Sequence, residues 1–191
     1  MKKVILASLF AFSASAAFSQ ANINTGNWMV GGTASFSSSK YGDSDDKQTS
    51  FNISPNVGYF FMNQFAGGLR LNLESDKNKG ENSESTSSSY SVAPFVRYYF
   101  LPSTQKVNVF ADAGYGFGQE KSETEVGNVE VKDDENFSEL GLKAGAALFL
   151  TPATALEFSL GYNSFKYKDA DDRYNTIRFG IGFQIHLGGK K

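Results

Sequence analysis

Cysteine is absent from this chain of 191 residues, and histidine occurs only once. Without cysteine, no disulfide can stabilise an exported fold, and the chain cannot carry the lipid anchor of a bacterial lipoprotein. The only histidine, His186, falls at the end of the last predicted strand, away from every long polar loop. A serine nucleophile needs an activating base beside it, so we expect no hydrolase triad and no enzyme activity.

Two further features are missing, a long apolar run and an excess of basic charge. After residue 19 no stretch approaches the roughly 18 consecutive apolar residues that a spanning helix needs. The mean hydropathy of the chain is -0.32. The 18 basic residues are matched by 20 acidic ones, which gives no electrostatic reason to expect a nucleic-acid partner. A membrane role would therefore have to rest on strands.

The start of the chain has the pattern of a secretory signal peptide. Residues 2–12 combine a short basic start with an apolar run that is too brief to cross a bilayer. Ala17 and Ser19 are small residues that suit the positions just before a cleavage point. We predict a signal peptide over residues 1–19 and one domain over residues 20–191, with a cut a few residues earlier as an alternative.

The segment from Tyr174 to Leu187 shows the pattern that dominates the rest of the chain. Side chains on a strand alternate between two faces, and in this segment apolar residues alternate with polar or small ones. The apolar face, which we expect to contact lipid, consists of Ile177, Phe179, Ile181, Phe183, Ile185 and Leu187. The segment is long enough to cross a bilayer as a tilted strand.

The same alternation recurs upstream and predicts eight strands in all. They cover approximately residues 27–37, 49–61, 64–74, 89–101, 107–119, 136–150, 154–167 and 174–187. Their connections alternate between tight turns and polar loops, the loops covering about 37–47, 75–88, 120–135 and 168–173. The 18 Phe, 9 Tyr and 19 Gly fit a small barrel wall, which uses aromatics and glycines at alternate positions. We therefore predict an all-β fold, an eight-stranded antiparallel up-and-down transmembrane β-barrel.

The alternating connections also predict an orientation. In outer-membrane barrels the short turns lie on the periplasmic side and the longer loops lie outside. An even number of strands then gives periplasmic termini and four extracellular loops, in the outer membrane of a Gram-negative bacterium. Aromatic residues near the strand ends suit the membrane interfaces, among them Trp28 and Tyr98 near the short turns and Phe117, Phe137 and Tyr162 near the long loops.

Several positions predict departures from regular strands. Pro55 lacks a backbone donor and favours a bulge. The apolar alternation changes phase between Tyr162 and Phe165, which indicates a second bulge near Asn163 and Ser164. The long run over residues 75–88 is rich in Ser, Glu, Asn and Lys and is expected to be a mobile loop.

One hairpin carries a family resemblance. Residues 55–69 read Pro-Asn-Val-Gly-Tyr-Phe-Phe-Met-Asn-Gln-Phe-Ala-Gly-Gly-Leu, a strand that leads through a tight turn into a glycine-bearing strand. This hairpin resembles the small outer-membrane β-barrel domain family, the group around OmpX-like and OmpA-type membrane domains. The run over residues 178–185, with spaced apolar residues after Arg178 and Gly180, is similar to the assembly signal of such proteins. The resemblance implies the outer-membrane assembly machinery as a partner.

The polar faces of the predicted strands would line the barrel interior, which in an eight-stranded barrel is just wide enough for side chains to fill. The predicted lumen network consists of Arg70, Arg97, Asp112, Glu139, Lys143, Glu157 and Arg178. Counted from the short turns, Arg70, Arg97, Asp112 and Lys143 lie at comparable depth on consecutive strands. Because an unpaired buried charge is costly, we expect these residues to form ion pairs.

No motif indicates a metal or cofactor. Three acidic loop clusters could offer oxygen ligands to Ca²⁺, but none has the spacing of a calcium-binding loop. These clusters are Asp43, Asp45 and Asp46, then Asp133, Asp134 and Glu135, then Asp169, Asp171 and Asp172. The repeated glycines Gly114, Gly116 and Gly118 lie within a strand on the lumen face, where they make room for arginine and aromatic side chains. We therefore expect solvated loop charges and no cofactor.

The leading hypothesis is a monomeric, non-catalytic outer-membrane barrel that serves envelope structure, surface interaction or adhesion through its loops. Its expected partners are outer-membrane lipids and lipopolysaccharide, whose phosphates could meet basic side chains. The candidate basic residues are Lys40, Lys47, Lys77, Lys79, Lys121, Lys166, Lys168 and Arg173. One alternative is a narrow porin-like conduit for ions or small solutes. Another is a soluble lipocalin-like binder, which would turn its apolar face inward and its charged residues to solvent.

Overall fold

The computed structural model of the protein describes residues 20–40, 47–79, 83–126, 129–168 and 170–188. The predicted signal peptide over residues 1–19 lies outside these ranges. Within them, no helix is long and apolar enough to cross a membrane.

Eight antiparallel strands follow one another around a closed barrel in chain order, as the alternation predicted. They are β1 (Trp28–Lys40), β2 (Lys47–Met62), β3 (Phe65–Lys79), β4 (Ser83–Tyr99), β5 (Val107–Val126), β6 (Val129–Thr151), β7 (Thr154–Tyr167) and β8 (Tyr174–Leu187). β8 closes the barrel by pairing with β1, from Trp28 opposite Leu187 to Ala34 opposite Ile181. The predicted fold class is therefore confirmed.

The alternation in the sequence becomes the two faces of the wall. Large apolar side chains on the outward face are between 37% and 76% exposed, and on β8 they alternate with buried residues such as Gln184 and His186. Charged side chains such as Arg97 and Glu157 point inward and are buried. A soluble lipocalin-like binder would need the opposite arrangement, so that alternative is wrong.

Three segments predicted as polar loops are wholly or partly strands instead. In the first, residues 37–40 pair with residues 47–50. Residues 75–79 pair with residues 84–88, and residues 120–126 pair with residues 129–135, in continuous register with the strands below them. The polar side chains support this pairing across the strands: the hydroxyls of Ser87 and Ser122 lie 3.0 Å apart, and Lys132 Nζ lies 3.1 Å from Glu123 Oε1. Opposed polar residues of this kind stabilise a sheet that has no apolar face.

Both predicted bulges are absent. On either side of Pro55 the register between β2 and β3 is the same, with Ile53 opposite Leu73 and Asn56 opposite Arg70. β6 and β7 likewise keep one register from Leu148 opposite Leu156 to Phe137 opposite Tyr167. The register shifts lie at the short turns instead, between residues 60 and 62 and between residues 149 and 151.

Six of the eight strands extend well beyond the closed part of the barrel at the end of the long hairpins. β1 to β6 continue past the closed barrel and form a projecting wall, which we define as residues 35–40, 47–52, 75–79, 83–88, 120–126 and 129–135. The β6–β7 pairing ends at Phe137, and the β1–β8 pairing ends at Ala34. Among the described strands, none pairs with the outer side of β6 over residues 129–135 or with that of β1 over residues 35–40. The projecting wall therefore has two open edges.

Candidate functional site

A network of buried charges crosses the middle of the lumen, and Arg97 is at its centre. Its side chain is fully buried, and its Nη2 and Nε donate to Asp112 Oδ2 at 2.8 and 3.2 Å. Its Nη1 donates to Glu157 Oε1 at 2.7 Å. Arg70 Nη2 shares Asp112 Oδ2 at 3.0 Å. Arg97 is opposite Asp112, and Asp112 is opposite Lys143, so adjacent strands place these charges at one depth.

Aromatic rings pack against the same guanidinium groups. The Cζ atom of Arg97 lies 4.2 Å from the ring centroid of Phe110, and that of Arg70 lies 4.6 Å from the centroid of Phe95. A cation over an aromatic face is attracted by the ring quadrupole. The central network is thus held both by carboxylates and by inward-facing rings.

The other predicted lumen residues occupy separate positions. Arg178 forms an ion pair and two hydrogen bonds with Glu74 near the long-hairpin end. Glu139 accepts hydrogen bonds from Asn72 and Ser91 and has no basic partner within 4.0 Å in the part of the chain that the structure describes. The lumen therefore contains two groups of ion pairs, with Glu139 and Lys143 outside both.

An apolar floor fills the lumen at the short-turn end. The ring of Tyr99 lies between 5.9 and 6.3 Å from the ring centroids of Phe60, Phe110 and Phe149. The floor consists of Ala21, Ile23, Met29, Phe60, Ala66, Tyr99, Phe110, Ala147, Phe149 and Ala155, with Phe95 above them. Because these side chains are packed against one another across the barrel, they close this end of the lumen.

The segment before β1 folds across the floor from outside. This strap (residues 20–27) contacts all three short turns through backbone hydrogen bonds: Ala21 N to Ser103 O, Asn22 N to Pro152 O, and Gln64 N to Ile23 O, at 2.7 to 2.8 Å. Asn22 Nδ2 also donates to His186 O at 3.1 Å. Ala21 and Ile23 are fully buried. The strap therefore forms a second layer, below the apolar floor, that closes the short-turn end of the lumen.

His186 is a buried lumen residue. Its Nε2 lies 3.2 Å from the hydroxyl of Tyr99, while its Nδ1 has no hydrogen-bond partner among the described residues. The Tyr99 hydroxyl lies 3.3 Å from Glu157 Oε1. The histidine is thus the last member of the polar chain that begins at Arg97, and its position between rings leaves no access for a substrate.

Inward-facing aromatics narrow the other mouth of the barrel. Phe137, predicted at the membrane interface, is buried inside, with its ring centroid 5.7 Å from that of Phe165 and 6.0 Å from that of Tyr167. Tyr167 donates a hydrogen bond to Glu120. The change of phase that indicated a bulge has this cause: β7 continues regularly, and Phe165 and Tyr167 take lumen positions because the mouth has room for rings.

The acidic loop clusters are only partly described. Asp43, Asp45, Asp46 and Asp169 lie outside the described residues. Among the residues that are described, no group of three or more carboxylate, histidine or cysteine side chains could hold a metal ion. The expectation for the glycines is confirmed for an aromatic side chain but is wrong for arginine: a Cβ at Gly118 would lie 2.6 Å from the Phe137 ring, and one at Gly116 would lie 3.1 Å from Glu139 Oε1.

Sequence reasoning did not assign four residues of the lumen network: Asn72, Glu74, Ser91 and Tyr99. Glu74 stands two and four residues beyond Asn72 and Arg70 on β3, so the alternation already places it inside. Tyr99 likewise alternates with outward residues on β4. Their alternation could have identified them, whereas their partners come from distant strands.

Comparison with known proteins gives a family and a fold. The outer membrane protein beta-barrel domain family matches residues 4–184, and no curated protein matches the chain. Neisserial surface protein A (NspA) is 18% identical, with 84% of this chain and 97% of that chain covered and a TM-score of 0.50. Ail, the attachment invasion locus protein of Yersinia pestis, is 14% identical, with coverages of 84% and 96% and a TM-score of 0.46. OprG from Pseudomonas aeruginosa is 11% identical, with coverages of 88% and 99% and a TM-score of 0.44.

Proposed function

Because this chain belongs to the outer membrane protein beta-barrel domain family, we propose that it is a non-catalytic, monomeric surface protein of the Gram-negative outer membrane. The short turns, the strap and both chain ends are on the periplasmic side, and the projecting wall stands outside the cell. In this orientation the protein contributes to envelope structure and makes contacts at the cell surface through its long hairpins.

The projecting wall is the observation that carries this proposal. An open strand edge presents unpaired backbone donors and acceptors, to which an extended segment of another chain can add as a further strand. The β6 edge belongs to a hairpin, residues 120–135, that contains seven acidic and two basic residues. Its charge favours a basic extended partner, because complementary charge steers association.

Outer-membrane lipids are the proposed partners of the closed barrel. The outward side chains of Ile177, Phe179, Ile181, Phe183, Ile185 and Leu187 are all exposed and form one continuous apolar strip along β8. Near the long-hairpin end, the exposed Lys166, Lys168 and Arg173 are placed where lipopolysaccharide phosphates would lie. Hydrocarbon contacts and phosphate contacts would thus stabilise the barrel at different depths.

The plugged lumen argues against the alternative of a conduit. The floor and the strap lie in series with the Arg97 network, so an ion would have to pass packed rings and paired charges. We expect planar-bilayer recordings of the folded protein to show no steady openings. Steady single-channel openings would favour the conduit over a surface role.

Removal of one hairpin should separate surface contact from barrel integrity. Gln119 and Asn136 face each other directly, so residues 120–135 can be replaced by an Asn-Gly turn without a change of register. We expect this variant to keep its heat-modifiable mobility on gels and to lose adhesion to host cells or survival in serum several-fold. The reason is that the acidic edge is lost while every contact inside the closed barrel except Glu120–Tyr167 is retained.

The β3–β4 hairpin provides the matched control. Glu74 and Ser89 also face each other, and residues 75–88 contain three acidic and two basic residues, so their deletion removes length with little net charge. If this variant loses less adhesion or serum survival than the variant without residues 120–135, the surface contact is assigned to the acidic β6 edge. If both deletions fold and neither alters adhesion, serum survival or permeability, the proposed surface role is wrong.

A further inference from the structure

A cavity of about 60 Å³ lies in the lumen on the long-hairpin side of the Arg97 network. Gly114, Gly141, Gly161 and Gly180 form part of its wall and contribute no side chains to it. A Cβ at Gly141 or Gly161 would meet no atom closer than 3.4 Å. Glycine at these two positions, on β6 and β7, therefore keeps the space open, and the cavity exceeds the volume that one water molecule requires.

Lys143 lines this cavity and has no carboxylate of the described residues in direct contact. Its Nζ donates to Thr33 Oγ1 at 3.3 Å, and no carboxylate oxygen of the described residues lies within 4.0 Å of it. The acids at this depth are paired with other cations, because Asp112 Oδ2 is shared by Arg70 and Arg97, and Glu157 Oε1 binds Arg97. Their second oxygens, Asp112 Oδ1 and Glu157 Oε2, are buried and accept no hydrogen bond from the described residues. Three cations thus face two carboxylates, which gives this layer of the lumen a net charge of about +1.

Arg70 contributes a second unsatisfied donor. Its Nη2 binds Asp112, but its buried Nε has no partner in the part of the chain that the structure describes, and the residue lines the same cavity. A buried donor without an acceptor costs free energy. An acceptor in the cavity could therefore satisfy both Arg70 Nε and the Lys143 ammonium.

The remaining charges of the cavity wall do not supply this acceptor. Glu139 lies four residues further along β6, roughly 13 Å away along the strand, and it accepts from Asn72 and Ser91. Arg178 is paired with Glu74. Glu139 is thus too far from Lys143 to form an ion pair with it, although it is a carboxylate of the same cavity wall, and Arg178 is already neutralised.

We propose that the cavity binds a small monovalent inorganic anion, of the size of chloride or bromide, between Lys143 and Arg70. The anion is the counter-ion that the central layer lacks, and the hydroxyls of Thr33 and Ser159 in the wall are additional donors. Since a buried charge is tolerated only when it is paired, anion binding stabilises the folded barrel. The site is separate from the hairpins that carry the proposed surface role.

The test is the stability of the refolded protein in detergent, measured by urea titration of its heat-modifiable mobility. Sodium bromide and sodium gluconate are compared at equal ionic strength, because gluconate is too large for the cavity. The folded-to-unfolded ratio should rise with the bromide concentration. It should be about 100-fold higher when bromide is 100 times its dissociation constant. Equal midpoints in the two salts would overturn the proposal.

Two variants assign the effect to the cavity. Lys143→Met should abolish the difference between bromide and gluconate, whereas Lys121→Met, which removes an exposed lysine of β5, should leave it unchanged. If Lys143→Met does not fold, anomalous diffraction from wild-type crystals grown in bromide decides the matter. A bromide peak beside Lys143 Nζ supports the site, and peaks on the protein surface alone, an adventitious ion only, contradict it.

Discussion

Replacement of Arg97 by methionine should destabilise the barrel by roughly 3–5 kcal/mol, the usual cost of breaking a buried ion pair on one side. The side chain of Arg97 is 0% exposed and neutralises both Asp112 and Glu157. Without it, no basic group of the described residues lies within 4.0 Å of Glu157, and Asp112 keeps one direct ion pair, with Arg70. Urea titration of gel mobility, with the fluorescence of Trp28 as a second probe, measures the loss.

Removal of the Glu157 charge in the same protein should recover part of this stability. In the double variant Arg97→Met/Glu157→Gln, the carboxylate left unpaired by the first change is absent, so the two effects should not add. Lys121→Met serves as the surface control and should cost at most about 1 kcal/mol, because Lys121 is exposed. An Arg97→Met barrel as stable as the wild type would show that the lumen charges are solvated.

Ile181→Arg should be the most damaging change on the outer face, at about 2–4 kcal/mol. Ile181 is 50% exposed and lies near the middle of β8, where an arginine would enter the hydrocarbon. Asn175→Arg and Leu187→Arg, at the two ends of the same outward face, should cost only about 0–1 kcal/mol. The same urea titration in lipid or detergent gives the three values.

The dependence on depth is the informative part of this series. All three positions are exposed on the outward face of one strand, so they differ mainly in their depth along β8. A cost that peaks at Ile181 indicates a hydrocarbon layer centred there. A flat profile would contradict the placement of β8 across the membrane.

The fold was predictable because its main signal is local. The alternation along one strand is enough to place Phe179 and Ile181 on one face and Gly180 on the other. Eight segments with this alternation leave few arrangements other than a barrel. The ends of the strands were not predictable in this way. Glu123 and Lys132 stabilise their hairpin only when the two strands are already opposed, so either segment alone looks like a solvated loop.

The phase error near Phe165 has a different origin. Aromatic residues were assigned outward because the apolar face contacts lipid, but the mouth of the lumen also has room for rings, and Phe137, Phe165 and Tyr167 occupy it. Pro55 was misread for a related reason: a missing donor can weaken pairing without changing the register. In both cases the backbone stayed regular and only the side-chain environment departed from expectation.

The residues that line the lumen and their depth were predictable, but the pairs that these residues form were not. Counting from the short turns places Arg97, Asp112 and Lys143 at one level, yet it cannot show that Asp112 serves two arginines while Lys143 has none. The strap could not be predicted from the sequence. Ala21 and Ile23 are buried by turns that lie far along the chain, and no periodic pattern in residues 20–27 records those contacts.

The most direct test of the account is the environment of β8 in a lipid bilayer. Because the chain has no cysteine, single cysteines at the outward positions from Asn175 to Leu187 can each carry a spin label without background. Oxygen, which concentrates in hydrocarbon, should reach the label best at Ile181, and a water-soluble nickel complex should reach it best at the two ends. Equal access of the nickel complex to labels at Ile181 and Asn175 would contradict a membrane-spanning barrel.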